Sequence, residues 1–300
     1  MKGIPREFIF KIIVVISAIA IIISTLKLYY YVIFEEEVIE KHEINGMLNC
    51  TEGGIYDWIY SFMICNLILF LFDVVICKKI FKLKRGTGGG ARWFVVHSFC
   101  NTLIVYYGYQ DMLKMFVDPV SIIYENNISS INPTAYSISL HFYHTVGYHS
   151  DFTFVDWLHH GIMYLITIPL LLLQNPTPIT NANFCFITGI PGCIDYLLLA
   201  LVKIDVIESQ TEKSINRYLN VWIRAPGIFW VTAMGYVYAF QQRANNTNYT
   251  ESQFYGLMII LLTNYWNAFY FLERVVASHY KHQTLENLKQ KVVNKQKTLG

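Results

Sequence analysis

Apolar residues along this chain gather in long runs instead of recurring at strand or helix spacing. Eight runs stand out: Ile12–Phe34, Ile55–Ile76, Trp93–Val117, Ala135–Tyr148, Phe154–Leu173, Phe184–Val202, Ile223–Phe240 and Tyr255–Leu272. A helix of ~20 apolar residues crosses the ~30 Å hydrocarbon core of a bilayer. The pattern predicts an all-α, polytopic membrane protein of about eight spans. The fourth run is the shortest and the most polar. The first follows Lys2, Arg6 and Lys11 and leads into Tyr29, Tyr30 and Tyr31 without a small-x-small cleavage site. It reads as an uncleaved anchor instead of a signal peptide.

Charge orients these spans. Lys78, Lys79, Lys82, Lys84, Arg85 and Arg92 lie between the second and third runs, and Lys203, Lys213 and Arg217 between the sixth and seventh. Lys281, Lys289, Lys291, Lys295 and Lys297 follow the eighth. Basic loops stay in the cytosol, so both termini are expected there. Glycosylation sequons begin at Asn49, Asn127, Asn245 and Asn248, all in the alternate set of loops. Acceptor asparagines face a lumen, so the two signals agree on one topology and on the endoplasmic reticulum or another secretory membrane.

Composition fits this picture. The chain is 54% hydrophobic and only 15% charged, against about 25% charged in soluble domains. A net charge of +2 gives no footprint for nucleic acid; membrane lipids are the expected partners, and a second copy of the chain is compatible with the sequence. Six scattered cysteines without a CxxC pair read as packing residues, not as a metal site or a disulfide framework. The stretch Arg85-Gly-Thr-Gly-Gly-Gly lacks the Gly-Lys-Ser/Thr ending of a phosphate loop and reads as a linker. Residues 1–92 then hold two spans and a basic linker, residues 93–274 a core, and residues 275–300 a Lys-rich cytosolic tail.

Ionisable groups inside a bilayer are costly, and here they gather at one depth. His141 and His144 share a face of the fourth run, and Asp156, His159 and His160 can share a face of the fifth. At ~1.5 Å per residue, His144 lies roughly 9 Å in from Ser150 and His160 roughly 12 Å in from Phe152, so His144 should sit level with His159. Asp195, Asn264, Asn267 and His97 fall in the same cytosolic half. A histidine beside a carboxylate suits general base chemistry. His160 is the expected base, oriented by Asp156, with His159 and His144 contacting a reacting carbonyl. His141, Asp195, Arg224, Asn264 and Asn267 are the expected substrate contacts. The same layer also reads as a structural network of interhelical hydrogen bonds, and Arg224 as an interfacial anchor. No metal or resident cofactor is expected: His-x-x-His and His-His resemble pieces of the boxes of di-iron membrane desaturases, but the chain has no His-x-x-x-His. Nor does it show the charged ring of a channel or the paired broken helices of a transporter. Pro191 and Pro226 are expected to kink their spans.

The segment Asp151-Phe-Thr-Phe-Val-Asp-Trp-Leu-His-His-Gly-Ile-Met-Tyr-Leu-Ile-Thr167 resembles the Lag motif of ceramide synthases, within the wider TRAM-Lag-CLN (TLC) membrane domain. The resemblance covers roughly Trp93 to Arg274. It implies a six-helix membrane core in the endoplasmic reticulum, a long-chain lipid substrate or ligand, and acyl-CoA as co-substrate for N-acyl transfer. It also implies that His159 and His160 are the catalytic pair, with Asp151 and Asp156 as acidic companions. The basic run that precedes Asp-Phe in that motif is replaced here by Tyr148-His149-Ser150, and many TLC proteins keep the histidine pair without being ceramide synthases. His141-Phe-Tyr-His144 and His-His-Gly-Ile-Met-Tyr also resemble fragments of the fatty-acid elongase box, without its contiguous HxxHH. A non-catalytic, lipid-binding or trafficking membrane protein is the alternative from another class.

Overall fold

The computed structural model describes residues 55–84, 90–124, 129–149, 152–172, 174–246 and 249–299. The first apolar run, Asn49, Asn127, Asn248 and Asp151 lie outside them. Among the described residues all regular structure is helical. The rods are α1 (Ile55–Leu71), α2 (Ala91–Val117), α3 (Pro119–Tyr124), α4 (Asn132–Tyr148), α5 (Phe154–Ile162), α6 (Ile168–Leu172), α7 (Pro178–Phe184), α8 (Ile190–Lys203), α9 (Ser209–Leu219), α10 (Ala225–Asn245) and α11 (Glu251–Leu299). Among the described residues three helical stretches are long and apolar enough to cross a membrane: Asp57–Ile80, Phe154–Leu172 and Pro178–Lys203.

The prolines act differently from simple kinks. Wide π-turns at Met163–Thr167, Cys185–Gly189 and Asn220–Arg224 join α5 to α6, α7 to α8 and α9 to α10. Each ends two residues before a proline: Pro169, Pro191 and Pro226. A proline has no N–H for the carbonyl four residues back, and its ring crowds that carbonyl. The helix widens instead, and Ile168, Ile190 and Ala225 donate five residues back to Met163, Cys185 and Asn220. Such turns push side chains sideways out of the regular helical register. A fourth wide stretch, Phe72–Ile80, continues α1 without a proline.

Helix α2 is the hub, packing along α4, α7 and α8. Small residues permit the closeness: a Cβ on Gly108 would come within 2.8 Å of Cys185 Sγ. The short, polar fourth run becomes α4, and residues 131–140 are buried without a break. Its polarity follows from that position. Ser139 Oγ, for example, accepts from Asn66 Nδ2 of α1 at 3.0 Å. The four fully buried thiols, Cys65, Cys77, Cys100 and Cys185, are free and sit among packed side chains. α11 runs unbroken through position 274, so the Lys-rich tail is a continuation of this helix as far as Leu299.

Sequence reasoning passed over Asp73, a lone acid in an apolar run. It is 1% exposed and holds a two-pronged pair with Arg92 at the start of α2, Nη2 to Oδ2 being 2.6 Å. Tyr143 and Tyr148 of α4 donate to the same Oδ2 at 2.5 and 3.2 Å. Arg92, counted above as a cytosolic loop charge, is therefore an interior clamp that joins three helices. Removing one partner of such a pair strands a buried charge at a cost of ~3–5 kcal/mol, while removing both costs less. In detergent, Asp73→Asn and Arg92→Gln should each lower the thermal midpoint sharply, and the double variant should fall by less than the sum. Strict additivity would show that the pair does not bear on stability.

Candidate functional site

The rods enclose a cavity of about 410 Å³. This lies within the ~300–1,000 Å³ range of small-molecule sites. Every rod around it contributes polar side chains: His97 from α2, His141 and His144 from α4, and Asp156, His159 and His160 from α5. Asp195 comes from α8, Arg224 from the turn before α10, and Asn264 and Asn267 from α11. All nine catalytic and substrate-contact residues expected from the sequence thus line one space. Of the four sequons, Asn245 is described: it is the exposed last residue of α10.

The backbones of α4 and α5 hardly approach each other, and side chains close this seam. His141 Nε2 meets His159 Nε2 at 3.0 Å, and His144 Nδ1 meets His160 Nε2 at 3.0 Å. His144 is therefore level with His160, one step off the expected register. Thr145 adds a third tie, with its Oγ1 2.9 Å from Tyr164 Oη and 3.3 Å from His160 Nδ1.

The protons can be followed through these contacts. His141 Nδ1 lies 2.7 Å from the Ser137 carbonyl, which only accepts, so that nitrogen carries the hydrogen. In the neutral ring Nε2 is then an acceptor, His159 Nε2 donates to it, and the His159 lone pair is left on Nδ1. Thr145 donates to the His141 carbonyl at 3.0 Å, so it accepts from His160 Nδ1. His160 Nε2 then accepts from His144 Nδ1, and the His144 lone pair is left on Nε2. His97 Nδ1 donates to the Trp93 carbonyl at 3.0 Å, leaving its lone pair on Nε2. Neutral, the cluster offers acceptors on His97, His144 and His159, while both nitrogens of His141 and of His160 are engaged.

Three expected roles change. His160 is not a free base: its Nε2 accepts from His144 Nδ1 and its Nδ1 donates to Thr145 Oγ1. Asp156 does not hold His160. Its Oδ2 accepts from Thr153 N at 2.7 Å and Thr153 Oγ1 at 2.6 Å, closing a capping box at the start of α5. Thr145 and His144 are what fix the His160 ring, with Phe152 stacked on it at 4.6 Å between centroids. Neutral His144 and His159 present lone pairs, so they do not suit holding a carbonyl oxygen.

Arg224 is not a surface anchor; it faces the cavity, with its guanidinium 5.2 Å from the Phe271 ring centroid. It ends a polar ladder along one helix face. Arg224 Nη1 donates to Asn220 Oδ1 at 3.4 Å, and Asn220 Nδ2 donates to Asn216 Oδ1 at 2.6 Å. The i, i+4 spacing of Asn216, Asn220 and Arg224 was the sequence signal for it. Among the described residues Arg224 Nε, Asp195 Oδ1, Asn183 Oδ1 and Asn267 Oδ1 find no hydrogen-bond partner, and all four atoms are buried. A second space of about 270 Å³ adjoins the cavity near the start of α5, lined by Thr153, Glu212, Lys213 and Arg274. Among the described residues no group of three or more His, Cys, Asp or Glu is arranged to hold a metal ion.

Comparison with known protein families, curated proteins and solved structures finds no match to this chain.

The capping-box assignment can be checked directly. Asp156→Ala should cost ~1 kcal/mol of stability, as loss of a helix cap does, and leave ligand binding in the cavity intact. Loss of binding at unchanged stability would show that the carboxylate acts on the histidines.

Proposed function

We propose that the chain is a multi-pass membrane protein of the secretory pathway whose histidine cavity takes the reactive end of a long-chain lipid or acyl substrate, and that it catalyses acyl transfer there. The observation that carries this reading is the cavity itself: neutral imidazoles and an arginine that forms no ion pair among the described residues line one enclosed space. The eight-span topology, with cytosolic termini and lumenal sequons, belongs to the same proposal. So does the TLC-like core, suggested by residues 151–167 and compatible with six rods around one cavity. An apolar slot between α5 and α11 supports a lipid. Leu158, Ile162, Met163, Trp266 and Tyr270 line it together with His159.

The chemistry assigns roles by proton position. An amine or hydroxyl on the acceptor lipid attacks the carbonyl carbon of an acyl thioester such as acyl-CoA. His144 Nε2 takes the proton that the nucleophile loses, with His160 and Thr145 holding the ring in its tautomer. Arg224 and the side-chain amides of Asn264 and Asn267 are the available donors for the carbonyl oxygen as it gains charge. Collapse breaks the carbon–sulfur bond, and the proton held on His144 passes to the departing thiolate. Products are the N- or O-acyl lipid and the free thiol. His159 and His141 border the site and close the seam.

A second reading, lipid binding without reaction, is favoured by one observation: both nitrogens of His141 and of His160 are consumed by hydrogen bonds within the protein. Whole-cell lipidomics separates the two. Cells expressing wild type should accumulate a lipid class that His144→Ala lowers by about 100-fold or more, in the range of general base catalysis, at matched protein level. Identical lipid profiles for wild type and variant would remove the enzymatic reading and leave binding.

A further inference from the structure

A separate enclosed space lies at the far end of the same helices. Gln242 is eighteen residues beyond Arg224 on one continuous rod, about 27 Å along it. There Tyr238 and Gln242 of α10, one turn apart, and Asn246 just past its end face Gln174 and Gln253 across a cavity of about 210 Å³. A single water needs only ~10–15 Å³ by the same measure, so the space is more than tenfold larger. None of its ten lining residues is charged, and nine are amides, hydroxyls or phenols.

The lining is built in place. Gln174, Tyr238 and Gln242 are 8%, 6% and 5% exposed. Gln174 Nε2 donates to the Gln253 carbonyl at 3.0 Å, and Gln242 Oε1 accepts from Asn246 Nδ2 at 2.8 Å. Tyr249, also on the wall, has a buried hydroxyl without a hydrogen-bond partner among the described residues. A ligand hydroxyl would supply the partner that this group lacks.

We propose that this cavity binds the neutral polyol headgroup of a lipid, such as a hexose or an inositol-like ring. A hydroxyl both donates and accepts, and so do carboxamides and phenols, whereas a phosphate, carboxylate or ammonium would find no countercharge here. The sequon residue Asn245 lies beside the cavity, on the side that the proposed topology assigns to the lumen. The site is independent of any reaction at the histidines.

The test uses the full chain in nanodiscs with a diazirine-bearing monoglucosyl diacylglycerol as probe. Labelling should map to residues 238–257 and be competed by unlabelled monoglucosyl diacylglycerol but not by phosphatidylcholine. Tyr249→Phe and Gln242→Leu should each weaken it by up to about tenfold, the worth of one neutral hydrogen bond, with thermal midpoints confirming the fold. Equal competition by phosphatidylcholine would overturn the proposal, as would unchanged labelling of both variants. Absence of labelling would mean that the cavity holds only water, and would also overturn it.

Discussion

In hydrocarbon a polar group has no solvent to fall back on, so each must find its partner within the protein. That constraint decides how this bundle closes. The rods α2, α4, α7–α8, α10 and α11 meet one another by ordinary side-chain packing. At the α4–α5 seam, where the backbones stay apart, imidazole–imidazole hydrogen bonds and the Thr145–Tyr164 contact bridge the gap. The histidines are thus wall and site at once. Each hydrogen bond that closes the seam also fixes which ring nitrogen keeps a lone pair toward the cavity. Any substitution in the cluster acts on closure and on chemistry together, which is why matched protein level is essential to reading such variants.

Proline placement does the complementary work of opening space. A straight α-helix presents a fixed stripe, and three regular helices side by side would interdigitate and leave little room. The wide turns before Pro169, Pro191 and Pro226 break that stripe on three separate rods. Each places a polar residue on the cavity wall: Thr167, Thr188 and Arg224. Thr188 also donates to Asn101 Oδ1 at 2.7 Å, and Gly192, one turn on, leaves room for the Asn101 side chain. The unused hydrogen-bonding capacity of a proline-bearing helix is thereby moved to where a cavity is needed, not left in contact with lipid.

The polar layer was legible in the sequence because every member of it is expensive in a bilayer and therefore conspicuous against an apolar background. His141, His144, His159, Asp195 and Asn264 need no alignment to be noticed. The helical runs were legible for the same reason, including the fourth, whose polarity marks burial inside the bundle. Asp73 was missed because a single acid near the end of an apolar run looks like a boundary residue; its meaning depends on Arg92 and Tyr143, 19 and 70 positions away. The register error between α4 and α5 has a simpler cause. Helical rise fixes depth along one rod, but the turn between two rods sets their offset. Asp156 was assigned to the histidines by spacing alone, while its backbone neighbour Thr153 offered a nearer and better-aligned partner.

Hydrogen-bond polarity within the main cavity carries the synthesis one step further. On the α2, α4 and α5 side the neutral imidazoles leave acceptors at His97, His144 and His159. On the α10–α11 side the available donors are Arg224 and the amides of Asn264 and Asn267, with Asp195 and the Asn267 carbonyl oxygen as acceptors between. An occupant that satisfies both walls must carry a donor on one end of its polar group and an acceptor on the other. A nucleophilic N–H or O–H beside a carbonyl has that polarity, and a hydrocarbon tail alone has neither. The same reasoning separates the two cavities: the histidine space is built around one fixed cation and directional acceptors, the far space around groups that donate and accept interchangeably. Two polar chambers at opposite ends of the same rods, one charged and one neutral, thus present different hydrogen-bonding chemistry, and a bundle that needed only stability would have had cause to fill both with leucine.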